Sequence, residues 1–321
     1  ATEVDDRQVN LTRFSLFFPE KRDFFLRDAD IFEFGRLNQN GRPFFSRRIG
    51  LGQNGQILDL ELGGKVSGRI DDWEIGALSI RQDGNTVLEA ETLSVLRLKT
   101  GIGSESTIGA IFTEGDPNSN IDNSLAGVDY FYRNSQLSGG RILEISSWYQ
   151  QTTTEGLNGD DSAGGISMFF PSSSGFTGGF LAKRYEANFN PALGFANREG
   201  VDEFSGELNY TSRPIDGPLQ SLFFGMFMEC FNNIKGGLES ERIALNPLNI
   251  STRAGDSFSI SFNSEKEVLS RPFRIYPGVV IPLGTYDFEN YGISFSSATF
   301  RKISGRISYT DGSFYSGNQT R

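Results

Sequence analysis

The chain has 321 residues, with 30 Lys+Arg against 40 Asp+Glu for a formal net charge of −10, and it contains no His and one Cys. These counts exclude His-dependent triads and His-ligated zinc, disulfide frameworks and CxxC motifs, and the cationic surface that a nucleic-acid partner requires. No stretch approaches the roughly 18 apolar residues of a membrane helix, while 38 Gly and 29 Phe favour strands and turns over helices.

In chain order, the first notable block is Phe14–Leu26, where five Phe surround Glu20, Lys21 and Arg22 and Pro19 breaks the run. Two readings are open. The block is an inward-folded segment whose charges act on solutes as selectivity rings do, or it is a first strand with a tight turn at Pro19 and its aromatics in an interfacial girdle.

The clearest alternation runs from Ile57 to Ile70. Leu58, Leu60, Leu62, Val66 and Ile70 fall on one face, and Asp59, Glu61, Lys65 and Arg69 on the other, because strand side chains change face at every residue. Such a run exceeds the usual soluble strand of about 5–6 residues and suits a tilted membrane strand of about 9–11. The four charges are expected to face the interior of a barrel, either lining a pore or bridging neighbouring strands.

The pattern recurs. Trp73–Arg81, Thr92–Lys99, Ser106–Thr113, Ser124–Arg133, Arg141–Gln150, Ile166–Phe170, Gly175–Glu186, Phe204–Tyr210, Leu222–Phe231, Ser257–Asn263, Tyr291–Ser297 and Ile303–Tyr309 all read as strands. Turn clusters of Gly, Asn, Asp and Ser separate them. About 14–16 strands in an antiparallel up-and-down order are expected. Asp71-Asp72 and Phe300-Arg301-Lys302 read as tight connections, and 114–123, 152–164, 189–202 and 234–255 as long loops. Short turns at one end and long loops at the other are a feature of outer-membrane barrels.

Other constellations carry less. Asp116, Asn118, Asn120 and Asp122 imitate the start of a calcium loop, but Ile121 and Gly127 stand where Gly and Glu are required; local turn hydrogen bonds account for them. Carboxylate pairs such as Asp160-Asp161 do not by themselves define a hydrolase site. No catalytic set, cofactor or metal site is expected from these residues.

Residues 10–26, NLTRFSLFFPEKRDFFL, with Phe17, Phe18, Pro19, Glu20, Lys21, Arg22, Phe24 and Phe25 at their centre, resemble a motif of one bacterial family. It is the uncharacterised outer-membrane β-barrel domain found downstream of a family-9-like carbohydrate-binding module. The blocks at 45–51, 65–69, 106–113 and 188–195 extend the resemblance. Asp23 departs from the family's Pro, and Arg27-Asp28 from its Glu-Gly. The resemblance implies location and architecture: one barrel domain over 1–321, with 1–50 as a segment packing the lumen or rim, and a fragment of a longer protein lacking an upstream module, with the number of strands downstream left open. The interior charges and the alternation point to a pore, and the resemblance to an anchor for surface carbohydrate binding; either is a non-enzymatic role in the outer membrane, with lipid as partner and carbohydrate reached through the missing module. A soluble or peripheral all-β enzyme acting on polysaccharide, or a β subunit of a larger surface assembly, is the alternative. The oligomeric state is open.

Overall fold

Alternating β-branched, aromatic and small residues punctuated by Gly- and Asn-rich turns fold as strands almost throughout. The computed structural model describes residues 10–52 and 55–321, so residues 1–9 of the expected packing segment lie outside it. The strands are β1 (Leu60–Ile70), β2 (Trp73–Gln82), β3 (Glu91–Ile102), β4 (Ser106–Glu114), β5 (Asn123–Leu137), β6 (Arg141–Thr154), β7 (Ser162–Phe170), β8 (Gly175–Tyr185) and β9 (Val201–Ser212). They continue as β10 (Leu219–Asn233), β11 (Leu238–Thr252), β12 (Ser257–Leu269), the short pair β13 (Phe273–Tyr276) and β14 (Val279–Ile281), β15 (Gly284–Ser296), β16 (Arg306–Phe314) and β17 (Gly317–Thr320).

Fifteen of them form one sheet in chain order, with β13 and β14 set apart as a hairpin between β12 and β15. The all-β, antiparallel, up-and-down organisation is as the alternation predicts. Among the described residues no ladder joins β1 to β17, so closure of the sheet is not formed.

Two loop expectations are corrected. The region 234–255 is not a loop: β11 fills most of it. Its charges and Pro247 hide the strand, and Pro247 is tolerated because a register shift between Leu245 and Leu248 interrupts the ladder there, one of the few places a strand accepts proline. The connection around Phe300 is not tight either, since residues 297–305 separate β15 from β16.

The chain divides into two compact units. The first holds the residues up to 134 together with 145–166 and 183–201; the second holds 135–144, 167–182 and 202–321. In the first unit, residues 10–58 form no strand. They carry a single helical turn (Asp23–Leu26) and two short 3-10 turns (Ala29–Phe32 and Ser46–Arg48), and they pack on one face of the sheet. The first-strand reading of Phe14–Leu26 is thereby overturned. The block has no neighbouring strand to complete its backbone bonds, and its aromatics find partners by folding inward.

Leu78, Ile80, Leu93, Val95, Ile111 and Leu125 cover this packed face, and Phe25, Ile31, Phe32, Phe34, Leu37, Ile49 and Leu58 meet them from the segment; all are buried. Each such side chain contributes about 1.5–3 kcal/mol by leaving water. Close approach needs small residues on the sheet. A Cβ at Gly76 would lie 2.8 Å from Phe32 Cζ, and one at Gly127 would lie 2.9 Å from Phe34 Cζ. Gly76→Ala is therefore expected to destabilise the docked segment by about 1–3 kcal/mol, as overpacking does. Guanidinium unfolding of the folded protein would measure it; an unchanged midpoint would show that the ring does not seat there.

Candidate functional site

The segment 10–58 on its sheet face is the most constructed feature of the first unit, and polar contacts set its path. Glu20 is a knot. Its carboxylate accepts the Ser46 hydroxyl at 2.6 Å, the Lys21 and Arg22 amides at 2.9 Å each, and the Arg22 guanidinium at 2.8 and 3.0 Å. Arg22 also donates to the Ile49 and Ser46 carbonyls at 2.8 and 2.7 Å and lies 4.2 Å from the Phe25 ring. Burial alone would raise the Glu20 carboxyl, but the hydrogen bonds from Arg22 and Ser46 outweigh it and hold the group at about 2. Burial pulls the Arg48 guanidinium below its ordinary value, with Asp116 opposing.

Further along, Gly35 and Gly41 have φ of +60° and +80°, a conformation open to glycine at little cost. Both sit where side chains press: a Cβ on Gly41 would lie 2.3 Å from Tyr185 Cε1. Gln150 donates to the Gly41 carbonyl at 2.6 Å and the Tyr185 hydroxyl to the Asn40 carbonyl at 3.1 Å. The Asn40 side-chain oxygen accepts the Asn197 and Arg198 amides. Arg42 exchanges backbone hydrogen bonds with Phe195 at 3.1 and 2.9 Å. The connection from β8 to β9 thus clasps the segment.

Beneath it lies an ion pair that sequence reasoning missed. Arg97 is 1% exposed, and its two terminal nitrogens donate to Asp129 at 2.5 and 2.9 Å. The same carboxylate accepts the Gly35 amide at 3.1 Å, and the Phe34 ring lies 5.4 Å from the guanidinium. Gly109, opposite Asp129 on β4, leaves the room: a Cβ there would be 2.6 Å from Arg97 Nη1. One signal was available, an arginine on the face of Leu93 and Val95 with a glycine in the adjoining strand.

The expected row of four charges does not survive intact. Lys65 donates to the Phe24 carbonyl at 2.7 Å and to that of Arg27. Arg69 pairs with Glu74 at 2.6 Å, and Lys99 reaches the same carboxylate at 2.5 Å. A register shift between Leu60 and Leu62 takes Glu61 out of line; it lies 3.9 Å from Arg81. Asp59 precedes β1 and lines a hollow of about 530 Å³ with Arg22, Phe24 and Phe25. Of the motif residues, Phe17 stacks on Phe45 at 4.7 Å and meets Phe195 at 5.3 Å. The Pro19 carbonyl accepts Arg47 at 3.1 Å, Phe24 meets Phe25 edge-on at 5.1 Å, and Phe18 lines a second hollow of about 600 Å³ beside Phe45, Arg48 and Phe195. Asp116 is engaged in its own turn, accepting the Asn118 amide and the Ser119 hydroxyl.

Among the described residues nothing packs against the opposite sheet face, and it is apolar too. Leu62 and Val66 are 77% and 72% exposed, and Trp73, Ile108, Phe112 and Val128 are exposed beside them. The second unit shows the same inversion in register. Phe258, Phe295 and Ile307 form one cross-strand row, Ile260, Ile293 and Tyr309 the next. Behind them run Ser257, Ser296 and Arg306, then Ser259, Ser294 and Ser308. Within β15, Tyr291, Ile293 and Phe295 are exposed while Gly292 is buried and Ser294 half-buried. In water that arrangement is the reverse of the usual one.

Residues 1–66 match the model of a family described as a domain of unknown function, DUF5916. The match covers the docked segment and the first part of β1. No curated protein and no solved structure matches the chain.

Two outcomes test the docking chemistry. Asp129→Asn strands a buried guanidinium and is expected to cost about 3–5 kcal/mol, whereas replacing Arg97 and Asp129 together with apolar residues costs less than the single change; chemical unfolding of the three proteins would decide it. Glu20 prefers its charged form when folded, so its stabilisation is complete above the ordinary value of 4.5 and is lost as pH falls towards about 2. Protection of the Lys21 and Arg22 amides, taken relative to their intrinsic exchange at each pH, should fall across that window and stay level in Glu20→Gln. An equal fall in the variant would assign the effect to other groups.

Proposed function

We propose that this chain is a β-barrel protein of a bacterial outer membrane whose interior is partly filled by its own residues 10–58, serving as a membrane anchor rather than an open pore. The observation that carries the reading is the bare apolar face. A lipid-facing strand alternates apolar outward and polar inward, and the paired rows of β12, β15 and β16 do so over consecutive registers. Serine rows on the other side need water or protein, and aromatic rows such as Phe262–Tyr291 need a medium without it. A contiguous apolar surface of this extent on a water-soluble monomer would be a strong aggregation liability.

The anchor role, rather than transport, is favoured by the docked segment. It is tied to the sheet face by buried rings, the Gln150 and Tyr185 hydrogen bonds and the Gly35–Asp129 contact, so solute passing that face would have to displace it. The motif at 10–26 adds the link to surface carbohydrate, which an upstream module would bind while this chain holds it at the membrane. A barrel further requires the two ends of the sheet to become joined.

Gel mobility of detergent-extracted protein, unheated against boiled, tests the reading. A faster-migrating unheated band together with silence in planar bilayers is the expected result. Recovery in the soluble fraction with no heat-dependent shift overturns the membrane location. A large steady conductance keeps the location and overturns the anchor.

A further inference from the structure

The two most exposed large apolar side chains among the described residues are Ile303 and Ile215, at 89% and 88%, and Phe300 beside Ile303 is 76% exposed. All three sit in loops of the second unit. In an antiparallel meander the connections β9–β10 (213–218), β11–β12 (253–256) and β15–β16 (297–305) leave the sheet at the same end.

The middle turn holds the two outer loops in place. Arg253 donates to the Pro214 carbonyl at 2.9 Å and to that of Ile215. Asp256 accepts the Arg301 guanidinium at 2.5 and 3.1 Å and the Ala298 amide at 3.0 Å. The 297–305 loop closes its own neck through Ser297 and Gly305. Held in this way, the apolar tips do not fold back on the protein, although burying each would release about 1.5–3 kcal/mol. Around them stand five cations (Arg213, Arg253, Arg301, Lys302 and Arg306) and two carboxylates, Asp216 and Asp256, of which Asp256 is engaged by Arg301. The apolar row Ile250–Phe258–Phe295–Ile307 is the last before these loops, so the tips lie just beyond the edge of the bare apolar face.

We propose that this end of the second unit docks into a layer of anionic lipid headgroups, with Ile215, Phe300 and Ile303 entering the acyl boundary and the surrounding cations meeting phosphate. The inference rests on the membrane reading above and adds the identity of the surface that this end meets. Apolar tips in a cationic rim match an interface whose outer layer is negative and whose inner layer is hydrocarbon. A protein partner would match the tips but gives no reason for the surplus of cations.

The lone cysteine makes the test direct. In a Cys230→Ser background, the full chain carrying Ile303→Cys or Ile293→Cys is labelled with an environment-sensitive fluorophore. It is then reconstituted into vesicles of phosphatidylcholine, or of phosphatidylcholine mixed with phosphatidylglycerol. The label at 293, on the bare sheet face, reports the membrane reading; the label at 303 reports this one. A blue shift at 293 in both lipids and a larger one at 303 in the anionic vesicles is the expected result. A shift at 293 with none at 303, or with one at 303 that ignores lipid charge, overturns the headgroup proposal and spares the membrane reading. An anionic-dependent shift at 303 with none at 293 keeps the headgroup contact and removes the membrane-spanning sheet.

Discussion

A strand presents alternate side chains to opposite faces, and here one apolar face is covered by none of the described residues. Everything else in the structure accommodates that constraint. In the first unit the other face is apolar as well, as Leu78, Ile80, Leu93 and Val95 show, and it is made dry by a segment folded onto it. In the second unit the other face carries serine, asparagine and glutamate along β12, with Phe231 and Phe288 buried on the same side. One sheet thus uses two solutions to the same requirement that each face meet a compatible medium.

The docked segment is specified by polarity more than by apolar area. Rings such as Phe32 and Phe34 would fit many grooves; the backbone carbonyls of Asn40 and Gly41 find donors only where Tyr185 and Gln150 stand. The Arg97–Asp129 pair belongs to the same logic. A buried pair seldom adds much stability over an apolar replacement, but Asp129 also accepts the Gly35 amide and so marks where the chain must pass. The glycines at 76, 109 and 127 are the complement, each leaving room for a group that approaches within ordinary contact distance.

Much of the sheet was legible in advance because period-two patterning survives wherever one face is polar: β9, the first half of β12 and the end of β15 can be read residue by residue. It fails where both faces are apolar, as in β3, where Thr92–Leu98 gives little sign of which side is covered. It fails again at bulges. The shift between Leu60 and Leu62 breaks the row containing Glu61, and the one at Leu245 hides β11 behind Pro247. The segment resisted prediction for a different reason. Its order comes from partners far along the chain, and Phe17 shows no local pattern announcing Phe195.

That distance has a consequence for assembly. Asn40 is bound by residues 145 and 158 positions later, and Gly41 by one 109 positions later. The segment is made before any of the strands it rests on. Contacts of such separation form slowly, since loop-closure entropy must be overcome before they return anything. The earliest residues of the described chain are therefore among the last to find their places, and until the connection after β8 is in position Phe17 and Phe45 lack the Phe195 ring that meets them both. During that interval the exposed rings are open to association with other chains.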